Sequence, residues 1–215
     1  MFVSIDGGDG TGKSTQAALL CEWLRAGGRE VVACRDPGST RLGEAIRELV
    51  LNRHDLEIDR TSEMLLYMAA RAQLAAEVIR PALARDVTVV SDRYLLANVV
   101  YQGYGGGLDV ATLWEVGRVA TGGLLPDLCI VLDMPPQKAA ARLDRQLDRM
   151  EQQGDDFHAR VRQGFLDEAA RQPGGIVVVD AAQSIDRVQG EIRGAVGRVL
   201  DEEGGSQTRE NRSQK

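Results

Sequence analysis

The stretch Gly7-Gly8-Asp9-Gly10-Thr11-Gly12-Lys13-Ser14-Thr15 decides the fold. Its first eight residues match G-x-x-x-x-G-K-[ST]. The setting is also right: the apolar run Phe2–Asp6 reads as a strand before the motif, and a helix opens after Lys13. Glycines let successive backbone N–H groups turn inward as an anion nest. The helix N-terminus aims a partial positive charge at the same point. Lys13 adds a compact cation for the β- and γ-phosphates, where a planar guanidinium fits poorly. It is one of only three lysines among 26 basic residues, the others being Lys138 and Lys215. Ser14 is placed to ligate Mg²⁺. Residues Gly7 to Thr15 therefore read as the phosphate site for a nucleoside triphosphate.

Outward from this loop, short β-rich runs alternate with longer helical patterns. The strand candidates are Phe2–Asp6, Glu30–Cys34, Val87–Ser91, Leu128–Leu132 and Ile176–Asp180. They are apolar on both faces, as buried parallel strands are. The alternation predicts one α/β domain over residues 1–201, a P-loop NTPase of three layers (α/β/α) around a five-stranded parallel sheet. Thr61–Arg85 reads as helix, kinked or interrupted by Pro81. Ile185, Val188, Ile192, Val196 and Val199 form one apolar stripe of a last helix. Gly103–Gly107 reads as a loop inside the domain. Residues 202–215 lack apolar side chains and read as a disordered tail.

A net charge of −6 and a pI near 5.1 argue against a dedicated nucleic-acid binder. The N-terminus shows neither a signal peptide nor a membrane span. Cys21, Cys34 and Cys129 are too scattered for a disulfide framework, and with only His54 and His158 nothing reads as a zinc site. Three buried thiols in a reducing cytoplasm fit this pattern. A GTPase switch is excluded as well. Asn52-Arg53-His54-Asp55 lacks the lysine of N-K-x-D, and D-x-x-G occurs only at Asp9–Gly12 and Asp201–Gly204. A small P-loop domain rich in arginine suggests a second, anionic substrate. Ser91-Asp92-Arg93-Tyr94 ends the third strand, where ligands bind in open α/β sheets. Asp92 there can hold Mg²⁺ through water, and Arg93 can hold a phosphate.

Five motifs occur in order: the P-loop continued by Ser14-Thr15-Gln16; Arg35-Asp36-Pro37-Gly38-Ser39-Thr40; Leu65-Leu66-Tyr67 with Arg71-Ala72-Gln73; Asp92-Arg93-Tyr94 with Tyr101-Gln102-Gly103; and Pro126-Asp127-Leu128 with Leu132-Asp133. Together they resemble the thymidylate kinase family from Phe2 to about Leu200. The resemblance implies transfer of a phosphoryl group from Mg-ATP to dTMP by a cytoplasmic homodimer, with no nucleic-acid or membrane partner. It implies that Asp9 faces the acceptor's sugar and phosphate, that Arg35 belongs to the acceptor-phosphate loop and that Arg93 holds the acceptor phosphate. It further implies that Tyr67 stacks on thymine, that Arg71 donates to thymine O4, that Asn98 meets the base edge, and that Tyr101, beside Gln102, crowds the 2′ position. Tyr67 and Arg71 are four apart and so share a helix face. Without the other motifs they would better fit a core aromatic with a surface arginine draped over it.

Residues from about 138 to 162 read as a solvated, ion-paired helical face by composition and as a helical lid by resemblance. Because Gly10 occupies the position where some members carry a P-loop arginine, the resemblance implies a catalytic arginine in the lid, with Arg149 and Arg145 as candidates beside Lys13, Asp9 and Arg93. Asp36 stands where glutamate is common, and Ser39 where glycine is. Two other readings remain open on sequence alone: a kinase for another small acceptor, and a P-loop binding protein with little turnover.

Overall fold

The computed structural model describes residues 1–144 and 146–213, with side chains described as far as Glu202. Strands β1 (Phe2–Gly7), β2 (Val31–Arg35), β3 (Thr88–Asp92), β4 (Leu128–Asp133) and β5 (Ile176–Asp180) form one sheet in the order β2-β3-β1-β4-β5. Every neighbouring pair is parallel. Each expected strand is met to within one residue at either end. The central strands are buried almost throughout, whereas the edge strands β2 and β5 alternate between buried and exposed. The fold is the P-loop NTPase α/β fold expected from the alternation.

The helices are α1 (Lys13–Ala26), α2 (Arg41–Asn52), α3 (Arg60–Leu74), α4 (Arg80–Leu83), α5 (Leu95–Asn98), α6 (Val110–Thr121), α7 (Pro136–Ala140), α8 (Asp155–Arg171) and α9 (Ile185–Ser213). On one face of the sheet, Leu20 and Leu24 of α1 pack with Val188, Ile192 and Val196 of α9 over Ile5 and Ile130. On the other, Val161 and Phe165 of α8 join Tyr67 and Ala70 of α3 over Val131. Strand β1 pairs with β3 on one side and β4 on the other; the chain leaves β1 toward β2 on the first side, and the connection after β3 passes over β1 to β4 on the second, so the crevice opens at the carboxyl end of β1.

Four local expectations change form. Pro81 has no N–H and its ring crowds the carbonyl four residues back; the chain absorbs it as a π-helical turn, Ala75–Ile79, between α3 and α4. Gly103–Gly107 is not a free loop: Gly103 and Gly105 belong to a buried π-helical turn, Val99–Gly105, that continues α5. A Cβ on Gly105 would come within 2.6 Å of the Phe157 ring, so glycine here permits the close approach of α8. Ile185 departs from the apolar stripe: it is the first residue of α9 and is 57% exposed. The described backbone of α9 runs to Ser213. Of residues 138–162 only the two ends, in α7 and α8, are helical among the described residues, and the stretch between them holds turns. There the Asp148 carboxylate accepts the amides of Met150 and Glu151, both at 2.9 Å, a local pattern that competes with helix.

Candidate active site

A cavity of about 700 Å³ lies at the carboxyl edge of the sheet, and the P-loop forms its middle. Helices α2, α3 and α6 carry capping side chains, Thr40, Asp59 and Asp109. Helix α1 begins after Gly12, in the left-handed region at φ 93°, with no capping side chain. Its first-turn amides are therefore left for an anion. Lys13 is buried beneath them, its Nζ donating to Gly8 O at 2.6 Å and lying 3.9 Å from Asp9. Burial first, then the Arg93 charge, lowers its pKa to about 8 against the pull of Asp9 and Asp92.

Two constellations flank this lysine. The Ser14 hydroxyl donates to Asp92 Oδ2 at 2.5 Å. A hydroxyl and a carboxylate side by side at the phosphate end are hard oxygen donors of the kind Mg²⁺ takes with water. On the other side, Arg93 is ion-paired with Asp9 and donates to Gly7 O at 3.0 Å, and the Tyr101 hydroxyl donates to Asp9 Oδ2 at 2.7 Å. Burial alone would raise the Asp9 carboxyl, but Arg93, then Lys13 and Tyr101, outweigh it and hold the pKa well below the usual carboxylate range. Arg93 is turned into the site by a backbone φ of 67°, a conformation that costs a non-glycine residue roughly 1–2 kcal/mol. Its amide donates to Ile5 O at 2.9 Å, and Ser91 Oγ donates to its carbonyl at 2.6 Å, which holds that backbone in place.

The other end of the cavity is lined by Tyr67, Arg71, Asn98 and Gln102. Arg71 is only 1% exposed, so it is no surface side chain draped over a ring. Its Nε donates to Asp36 Oδ2 at 2.5 Å, Nη1 to Asn98 Oδ1 at 2.8 Å and Met68 Sδ at 3.2 Å, and Nη2 to Tyr94 O at 3.3 Å. These four bonds take four of the five guanidinium protons and leave one on Nη2. Asp36, the variant residue of the second motif, is thus the buried counter-ion of Arg71.

With this geometry in view, comparison with known proteins is decisive. Residues 5–192 match the sequence-family model for thymidylate kinase. The chain belongs to the thymidylate kinase family. It is 48% identical over 187 residues to thymidylate kinase of Rhodopirellula baltica, covering 87% of this chain and 76% of that one. It is 47% identical over 196 residues to thymidylate kinase of Clavibacter sepedonicus, covering 90% and 92%. A crystal structure of thymidylate kinase from Ehrlichia chaffeensis superposes with a TM-score of 0.74 at 29% identity, covering 91% of this chain and 98% of that one. Like its relatives, this thymidylate kinase family member is a phosphotransferase.

Within that family frame, Gly10 acquires a structural cause. It sits at φ 78°, and a Cβ there would collide with the carbonyl oxygen of Ala139, so an arginine at this position would displace α7. Ser39 adopts φ 62°, a conformation natural to the glycine common there. Of the expected site residues, the structure gathers Asp9, Gly10, Thr11, Gly12, Lys13, Ser14, Thr15, Arg35, Tyr67, Arg71, Asp92, Arg93, Asn98, Tyr101 and Gln102 around one cavity. Gly7 and Gly8 stand behind it as backbone. Arg35 lines it while pairing with Glu44 at 2.7 Å. Arg149 does not line it. That side chain is ion-paired with Glu63 and donates from Nε to Val50 O at 2.9 Å. Arg145 lies outside the described residues. Several wall positions escaped the sequence reading, among them Arg47, Arg142 and Gln183. Arg47 donates to Pro37 O at 3.1 Å, Arg142 donates to Ala181 O at 3.2 Å, and Gln183 begins the far end with Ile185. None belongs to a motif; only the approach of α2 and of the β5–α9 connection makes them wall residues.

Proposed function

We propose that this chain transfers the γ-phosphoryl group of ATP to dTMP, giving ADP and dTDP. The carrying observation is one continuous cavity with the uncapped start of α1 at its middle, polar base-reading groups at one end and Arg142, Gln183 and Ile185 at the other. Such a space accommodates two nucleotides meeting at their phosphates. Catalysis is then positioning and charge neutralisation rather than covalent chemistry. Lys13 meets the β- and γ-phosphates. Arg93, now satisfied by Asp9, turns to the acceptor phosphate when it arrives, while Asp9, kept ionised, accepts from the acceptor's sugar. Tyr101 stands against the sugar, Tyr67 supplies a face for the base, and the remaining Nη2 proton of Arg71 reaches O4. Ser14 and Asp92 would hold Mg²⁺, which supplies charge neutralisation to the phosphate oxygens when bound.

The test is ADP release from Mg-ATP with a panel of nucleoside monophosphates and thymidine. Release that depends on dTMP above the other acceptors upholds the reading. Release indifferent to the acceptor, or a preference for thymidine, defeats it. A homodimer accompanies this reading. Leu65 of α3 and Val119 of α6 are 50% and 83% exposed on helices that pack together, which supports association through that face. Sedimentation equilibrium reads it directly. A cytoplasmic setting is supported by three buried, free thiols.

A further inference from the structure

The polar side chains of the base end form one directional line that runs out of the cavity. Arg71 Nη1 donates to Asn98 Oδ1 at 2.8 Å, Asn98 Nδ2 to Gln102 Oε1 at 2.6 Å, and Gln102 Nε2 to Glu63 Oε1 at 2.8 Å. The other carboxylate oxygen of Glu63 is ion-paired with Arg149. Arg149 is anchored in turn on α2, through Nε to Val50 O and through its amide to Leu51 O at 3.2 Å. Glu63 is buried at 7% exposure but does not line the cavity.

An amide side chain can present either its oxygen or its nitrogen, so a buried amide has no polarity of its own. Two amides in series take their polarity from the ends of the line. Arg71 can only donate, and a carboxylate only accepts. One arrangement then avoids donor facing donor: Gln102 nitrogen toward Glu63, Asn98 nitrogen toward Gln102, and Asn98 oxygen toward Arg71. An acceptor oxygen on that wall suits a pyrimidine carrying N–H at N3, as thymine does, and repels the lone pair that cytosine carries there.

We propose that Glu63 is a specificity-positioning residue of the acceptor-base site, fixing the Asn98 amide through Gln102, with Arg149 as the counter-ion that holds it. This rests on the reading of the cavity as a dTMP site. It assigns Arg149 to base selection rather than to charge on the transferred phosphoryl group. It also means that the base site is held from both ends, so that removing Arg71 alone leaves Asn98 oriented.

The experiment measures kcat and KM for dTMP and dCMP on wild type, Glu63→Gln, Arg149→Ala, Arg71→Ala and the double variant Arg71→Ala/Glu63→Gln. Glu63→Gln keeps the volume but removes the fixed acceptor from one end, leaving Arg71 to set the direction of the line, so its dTMP/dCMP ratio of kcat/KM is expected to stay near that of wild type. In the double variant neither end sets the direction, and the ratio is expected to fall about tenfold below that of Arg71→Ala alone, in line with one unpaired buried donor, with more of the loss in KM than in kcat. Arg149→Ala, which frees Glu63 from its counter-ion, is expected to raise KM for dTMP. Gln102→Leu placed on Arg71→Ala cuts the line at another point and is expected to lower the ratio similarly; it serves as the test if Glu63→Gln folds poorly. A wild type without dTMP-dependent ADP release overturns the functional reading itself. An active wild type in which Arg71→Ala keeps its ratio when Glu63→Gln or Gln102→Leu is added, or an Arg149→Ala loss confined to kcat, overturns this inference alone.

Discussion

At the proposed phosphate end of the cavity, consecutive residues from Asp9 to Thr15 supply the wall, with the uncapped start of α1 and one buried lysine. At the base end, Asp36 follows β2, Tyr67 and Arg71 come from α3, Asn98 ends α5, and Gln102 sits in a π-helical turn. The first surface is complete once one loop and one helix start have formed. The second exists only when those segments are packed, and its polar groups are buried against the core. A phosphate is recognised well by backbone and charge, whereas telling one base from another takes donors and acceptors held in fixed orientation, and burial holds them. Stability and specificity are therefore coupled at the base end and separable at the phosphate end.

That contrast can be broken by experiment. Asp36→Ala leaves the Arg71 guanidinium buried without its counter-ion, which typically costs about 3–5 kcal/mol. For a chain of this size the melting temperature should fall by roughly 10 °C; an unshifted melting curve would detach the base end from the core. Lys13→Ala should lower kcat by on the order of 10²–10³ through loss of one transition-state contact while leaving the melting temperature close to wild type. A drop in melting temperature matching that of Asp36→Ala would erase the distinction between the two ends. Arg71→Ala should narrow the dTMP/dCMP ratio of kcat/KM by about tenfold, since cytosine's amino group no longer faces a donor, a mismatch worth about 1–3 kcal/mol. The ratio is independent of how much enzyme is folded, so the loss of stability also expected at this position does not disturb it. Tyr67→Phe should be the smallest change, about twofold or less in KM for dTMP, because stacking uses the ring and not the hydroxyl; a large rise would give the hydroxyl a role in holding the base.

The sheet, the position of the P-loop and the absence of a GTPase switch are legible in the chain alone, because each rests on contiguous residues. Apolar runs mark buried strands, and glycines followed by Lys13 mark an anion nest wherever strand leads to helix. The shared face of Tyr67 and Arg71 is legible too, since helix geometry sets it. What α3 meets across that face is not. The burial of Arg71 against Asp36, the turn of Arg149 toward Glu63 instead of the phosphates, the entry of Arg47 and Arg142 into the wall, and the close packing of Gly105 all depend on where distant segments come together. Local sequence sets the direction in which a side chain leaves its helix or strand; only the packed fold sets its partner, because a long arginine will satisfy whichever buried acceptor the neighbouring segment brings within reach.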